Sequence, residues 1–392
     1  MHPMRPTAPT HRRPLATLVL ALLLAAPALA ETPAGFSEGP ATLESMSTLA
    51  FGPDGILLVG DAKAGAVVAL DTGDRTAGTA KDRFVIRDLE TKIAAMLGTR
   101  ASEVLIHDLA VNPISSTTYL AVSRNRGRWE SRWQLPNDFA DANVLLRILG
   151  DGTLEAVDLD TLPWSRAELS NPVDPSKEHP WKRGTKLRAD TITDLVWDDG
   201  KVWVAGLSNE EFASTLWQLD YPFGDSDTST RTTVEIYHGA HGEWETHAPI
   251  RTFVPYELEG HKQLLAAYLC TPLVTLGTDS LADGAHVKGR TLAEFGSGNY
   301  PLDMVLYQKD GADRLLISNS NLPLMIIDPD DVAAFEGEID TEVEGYTAGV
   351  EYEIRSGAGI QQLDLLDAER FVALQRLPGG TLDLVTMPVV RF

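Results

Sequence analysis

The chain has 392 residues, 43% of them hydrophobic, with 33 basic against 56 acidic side chains and a formal charge of −23. So acidic a surface repels phosphate backbones and anionic lipid, which argues against nucleic-acid and membrane-surface roles and favours cationic partners, metal ions among them. The single cysteine, Cys270, excludes an internal disulfide, so burial alone must hold the core together.

The first thirty residues read as an address. His11, Arg12 and Arg13 form a basic start, Leu15 to Ala26 is an apolar run, and Ala28-Leu29-Ala30 offers a small-x-small cleavage pattern before Glu31. The expectation is a cleaved signal peptide over 1–30, no membrane insertion after its removal, and a periplasmic or secreted protein. The apolar run is short for a membrane span.

From residue 45 onward the apolar pattern has period two, and turn residues interrupt it about every ten positions, which predicts an all-β fold. A polar or small pair followed by an apolar step recurs six times. It appears as Ser47-Thr48-Leu49, His107-Asp108-Leu109, Thr193-Asp194-Leu195, Arg251-Thr252-Phe253, Leu302-Asp303-Met304 and Gln361-Gln362-Leu363. The central apolar residues are separated by 60, 86, 58, 51 and 59 residues, and the flanks Glu31 to Leu49 and Leu363 to Phe392 together make about one further period. Periods of this length predict a β-propeller, with six blades and terminal segments that close a shared one. The domain is expected to span 31–392.

In the first blade, Thr48–Phe51, Ile56–Val59, Ala66–Leu70 and Arg83–Ile86 read as its four strands, with Pro53-Asp54-Gly55 as the first turn. The second interval holds Asn143–Leu149 and Leu154–Leu159, then a polar stretch around 165–189 that reads as a surface insertion; a hidden blade there would make seven. Trp129, Trp133, Trp164 and Trp181 cluster in this interval and are expected to anchor the insertion. The fifth blade reads as Asp303–Tyr307, Arg314–Ser318, Leu324–Ile327 and Glu351–Ile354.

A propeller sorts residues by face. The connection entering each inner strand and the connection from second to third strand open on one side. Tyr237 to Pro249 enters the fourth inner strand carrying His238, His241, His247, Glu243 and Glu245, and Cys270 lies in the second-to-third connection of the same blade. These are expected on one rim, with His107, Asp108, Asp194, Arg251 and Asp303 around the funnel from the same side. His261 and His286 are expected on the opposite face. Imidazole nitrogens with a thiolate are donors for copper or zinc, and a lone thiolate beside imidazoles suits copper better. The inner-strand aspartates have a structural explanation too, as acceptors of backbone N–H groups from neighbouring blades.

The run Phe51-Gly52-Pro53-Asp54-Gly55-Ile56-Leu57-Leu58-Val59 resembles the blade motif of NHL and SMP-30/gluconolactonase-like propellers. That resemblance implies a calcium or other divalent cation in the funnel and a lactonase-type hydrolysis. Asp303 would serve as a cation ligand, Glu38-Gly39-Pro40 is similar to the family's N-terminal Glu motif, and a funnel Asp or His such as Asp108 or His107 would act as base beside Arg251. No Asn precedes an inner strand where that family has one. Three functions therefore follow as expectations: a metal site for redox chemistry or metal handling, a cation-dependent hydrolase acting on a small molecule in the funnel, or a non-catalytic scaffold for a protein partner. No nucleophile elbow, phosphate loop, dinucleotide glycine pattern, haem attachment motif or zinc-finger spacing occurs in the sequence.

Overall fold

Alternation over five to nine residues, punctuated by Gly, Asp and Asn at turns, produces antiparallel meanders throughout the chain. The computed structural model describes residues 1, 32–78, 84–124, 143–180, 182, 184–224, 229–270, 272–296, 298–345 and 347–392. The leader over 1–30 beyond Met1, Arg83, Trp129, Trp133 and Trp181 lie outside these. Among the described residues no helix is long and apolar enough to cross a membrane.

The strands form four four-stranded sheets and one ten-stranded sheet. The last is two antiparallel meanders, Asp194–His238 and Thr252–Glu294, joined where Thr233–Ile236 pairs in parallel with His286–Gly289. Within each meander the strands run in sequence from an innermost one outward. The innermost strands pack side by side in a closed circuit: Thr48–Phe51, Asp194–Asp198, Thr252–Leu258, Pro301–Lys309, Ile360–Asp367, Val104–Val111, and back to Thr48–Phe51. This is a propeller-like arrangement of sheets. Middle strands such as Ile56–Asp61 and Ala66–Asp71 are buried at every position, because both faces meet a neighbouring sheet. Apolar clusters fill the interfaces between sheets; Leu58, Val67 and Ala69 pack against Val202, Val204 and Trp217 of the next sheet in the circuit. Asp54 and Gly55 turn the first hairpin with φ of 55° and 72°, the left-handed region that Gly and Asp tolerate best.

The first sheet differs from expectation at its outer edge. Its fourth strand is Trp164–Glu168, from the segment expected to begin the insertion, and it pairs with Ala66–Leu70. Val85–Ile86 instead pairs with Leu384–Val385 and completes the C-terminal sheet. The C-terminal sheet is therefore completed by Val85–Ile86 rather than by the residues ahead of Leu49, which run along the first sheet, held by Ser37 on Trp164 and by the Glu44 and Ser45 N–H groups on Asp61. The physical reason is packing. Phe84 and Ile86 contribute to the cluster with Leu374, Leu382 and Leu384, whereas Ala167 and Leu169 complete the one with Val67 and Ala69. A short apolar strand carries no sequence mark of which outer edge it will fill. The rest of the polar stretch is fastened down: Val173 packs with Leu207 and Ala213, and Arg188 donates to the Lys63, Ala64 and Val173 carbonyls.

Candidate functional site

Two groups of titratable side chains are assembled by this fold, one in the central funnel and one at the ends of outer strands on the perimeter of the ring, called the rim below.

The funnel is a cavity of about 800 Å³ lined by the inner strands. The recurring polar position holds, in order round the circuit, Thr48, Asp194, Thr252, Asp303, Gln362 and Asp108, so carboxylates occupy alternate strands. Each reaches into the next strand. Asp194 accepts from Phe253 N–H at 3.0 Å, Asp303 from Leu363 N–H at 2.9 Å, and Asp108 from Leu49 N–H at 2.6 Å and the Thr48 hydroxyl at 2.9 Å. The second oxygen of each accepts from the N–H of the following residue at 2.8 Å. Asp364, one level deeper, does the same with Val111 and Leu365 N–H, both at 2.7 Å. Burial raises these carboxyls, to about 6 for Asp108 and about 7 for Asp194 and Asp364, and well above the usual range for Asp303, where Asp108 adds to the effect. The like charge of Asp108 adds to the rise at Asp194, Asp303 and Asp364.

The hydrolytic expectation needed Asp303 as a cation ligand. Both of its oxygens instead accept backbone N–H groups, the arrangement of a clamp between strands. His107 lines the funnel with Nε2 2.9 Å from Ser123 Oγ, and Arg251 lies 3.7 Å from Asp190. Asp364 was missed by the sequence reading. It follows the recurring position by two residues, and nothing local distinguishes it from a solvated strand residue.

On the rim, the segment entering the fourth inner strand is a hairpin rather than a loop. His238 ends the strand Thr230–His238, a tight turn follows with His241 and Gly242 N–H on the His238 carbonyl, and Glu243–Glu245 pairs back. Gly242 sits at φ 68°, and a side chain on Gly239 would collide with Ile339 and Val343 at 2.7 and 2.8 Å. The hairpin folds His241 back onto His238, with ring centroids 3.9 Å apart. One carboxylate oxygen, Glu245 Oε1, holds both imidazoles, at 2.8 Å from His238 Nδ1 and 2.7 Å from His241 Nδ1.

Cys270 arrives from the neighbouring meander in a left-handed conformation (φ 60°), its N–H on the Asn299 carbonyl and its Sγ accepting from Gly298 N–H at 3.5 Å. Donor atoms of His238, His241 and Cys270 all lie within 4.8 Å of one another. His238, His241 and Cys270 converge as expected, but at the outer strands and away from the funnel residues His107, Asp108, Asp194, Arg251 and Asp303. His241, Glu243 and Glu245 form a second, more exposed group within the same limit. His247 is apart from both, exposed and bonded to Thr246 Oγ1. His261 opens its strand at the inner hairpin turn, and His286, exposed, opens the strand His286–Glu294 at the end opposite Glu294, 4.5 Å from the Phe212 ring and bonded to Thr233 Oγ1.

Electrostatics on the rim are those of charges held in pairs. Burial opposes the charged form of His238, yet Glu245 and then Glu294 outweigh it and raise the imidazole above its ordinary value; burial likewise opposes Glu245, which both histidines hold below its own. Glu294, another residue the sequence reading missed, is 1% exposed and raised by burial.

No family model matches the chain, and no curated protein is similar to it in sequence. Among solved structures it is similar to a chain of the mitotic checkpoint complex (8% identity, 95% of this chain and 99% of that one, TM-score 0.32). It is also similar to the extracellular domains 1–2 of Drosophila semaphorin 1b (10%, 90% and 86%, TM-score 0.36). A third is a putative oxidoreductase (glucose dehydrogenase) from Thermus thermophilus (14%, 90% and 100%, TM-score 0.31). At these scores the strand pairing itself, not the likeness, carries the fold.

Proposed function

We propose that this chain is an exported, six-bladed propeller of the NHL/SMP-30-like kind whose rim binds a transition-metal ion, copper or zinc, through His238, His241 and Cys270, for redox chemistry or metal handling. The blade count follows from treating the ten-stranded sheet as two blades, which gives six four-stranded units. One observation carries the site: two imidazoles and the chain's single thiol, brought from separate meanders, place donor atoms within 4.8 Å of one another. Imidazole and thiolate are the donors such ions prefer.

The protein's own groups prepare the site. Glu245 accepts from both Nδ1–H groups, which fixes both rings in orientation and leaves each Nε2 as the nitrogen with a lone pair to offer. The acidic surface concentrates cations near the rim. A bound ion would supply Lewis acidity or, if copper, a one-electron couple. The hydrolytic alternative gains no support from Asp303, whose oxygens are taken by Met304 and Leu363. Elemental analysis of the purified chain, followed by zinc and copper titration, tests the reading. One ion per chain, lost in His238→Ala and in Cys270→Ser, is expected; a wild-type chain that takes up neither ion refutes it.

A further inference from the structure

Within that metal reading, among several buried side-chain atoms without a hydrogen-bond partner, one pair of opposite character faces each other beside the histidine cluster and points to a further donor. His238 Nε2 and Glu294 Oε2 both lack such a partner among the described residues, and both side chains are 1% exposed. They face each other at 3.7 Å. That is too long for a hydrogen bond, even were the imidazole doubly protonated. Leaving a carboxylate oxygen and an imidazole nitrogen buried in this way costs about 1 to 3 kcal/mol for each group, more when charged.

The remaining atoms of both side chains are firmly placed. His238 Nδ1 is on Glu245, and Glu294 Oε1 accepts from Gly239 N–H at 2.7 Å. Gly239 is a glycine of necessity: its Cα packs under Ile339 and Val343, and a Cβ there would stand 3.3 Å from Glu294 Oε1. Ile339 is itself buried and bonded through its N–H to the Thr291 carbonyl, so the wall against Gly239 is part of the fold. The pair, within ion-pair range but not hydrogen-bonded, is thus held in place by its surroundings.

We propose that Glu294 is a ligand of the rim metal, joined to it through Oε2 opposite His238 Nε2, and that the ion is divalent, of the zinc class. An ion about 2.0 to 2.2 Å from each atom would see the two, 3.7 Å apart, at an angle of roughly 120°; Glu294 stands outside the group of His238, His241 and Cys270 donors that lie within 4.8 Å of one another, so His241 and Cys270, the less buried ligands, would close on the ion as it binds. Charge points the same way. The thiolate, Glu294 and the Glu245 carboxylate on both imidazoles are all anionic, so a divalent ion leaves less uncompensated negative charge than a monovalent copper ion would. Carboxylate oxygen is also a harder donor than copper(I) selects.

Zinc calorimetry on the full-length chain tests this. Glu294→Gln keeps an oxygen for Gly239 N–H and is expected to weaken zinc binding roughly tenfold or more, with unchanged circular dichroism. In the wild type, zinc addition is expected to shift a carboxylate stretching band in the difference infrared spectrum, a readout that holds even if the variant does not fold. Zinc affinity within twofold of wild type in a folded Glu294→Gln, or no carboxylate shift in the wild type, overturns the proposal. Loss of binding in His238→Ala with none in Glu294→Gln removes Glu294 alone; no binding by the wild type removes the site as well.

Discussion

The funnel and the rim both gather ionisable side chains from distant parts of the chain, and they end in opposite states. In the funnel, every oxygen of Asp108, Asp194, Asp303 and Asp364 accepts at least one backbone N–H. On the rim, His238 Nε2 and Glu294 Oε2 are buried without a hydrogen bond. Saturated carboxylates join strands; the proposed site rests on two donors at close quarters that lack a hydrogen bond. Titratable residues in a cavity are therefore a weak signal until their bonds are counted.

Substitutions in one region should leave the property of the other untouched. Asp108→Ala removes three accepted hydrogen bonds and leaves two strand N–H groups buried, so urea unfolding should show a loss of about 2 to 4 kcal/mol with zinc affinity unchanged. Cys270→Ser should reverse this pattern, lowering metal affinity on the order of 100-fold while moving the unfolding midpoint little. A stability loss in Cys270→Ser as large as that in Asp108→Ala would erase the distinction.

The funnel also predicts a pH dependence. Asp108, Asp194 and Asp364 titrate near 6, 7 and 7 in the folded chain, against about 3.8 when exposed. Across that window the native state holds protons the unfolded chain has released, so their contribution to stability is fullest at low pH and is lost as pH rises from about 4 to 7. The melting temperature should fall along that interval, and Asp364→Asn should flatten the slope; a rise would contradict the burial-driven shifts. Smallest of all, His247→Ala should change zinc affinity less than about twofold, because His247 stands apart from the donor cluster. A larger loss would enlarge the site beyond the residues assigned to it.

The repeat was legible because an inner strand repeats a chemical need. The polar position before Leu49, Leu109, Leu195, Phe253, Met304 and Leu363 is where neighbouring strands are tied, and three of its six residues are the aspartates that tie them. The rim was legible through topology: once the chain is a propeller, connection type alone brings His238 and Cys270 to one side. Outer strands were not, since Val85–Ile86 and Trp164–Glu168 are set by which apolar cluster they complete, at long range. Glu294 was hidden for a related reason. A glutamate ending a strand looks solvated in sequence, and only the folded chain shows it 1% exposed, with one oxygen on Gly239 N–H and His238 3.7 Å from the other.

The most direct measurement is anomalous diffraction at the zinc edge from crystals of the full chain grown with equimolar zinc. The account predicts one dominant peak at the rim, about 2.3 Å from Cys270 Sγ and about 2.0 to 2.1 Å from His238 Nε2, with Glu294 Oε2 at similar range. A peak confined to the funnel carboxylates, or to exposed surface residues with the Cys270 and His238 donors unengaged, would contradict it.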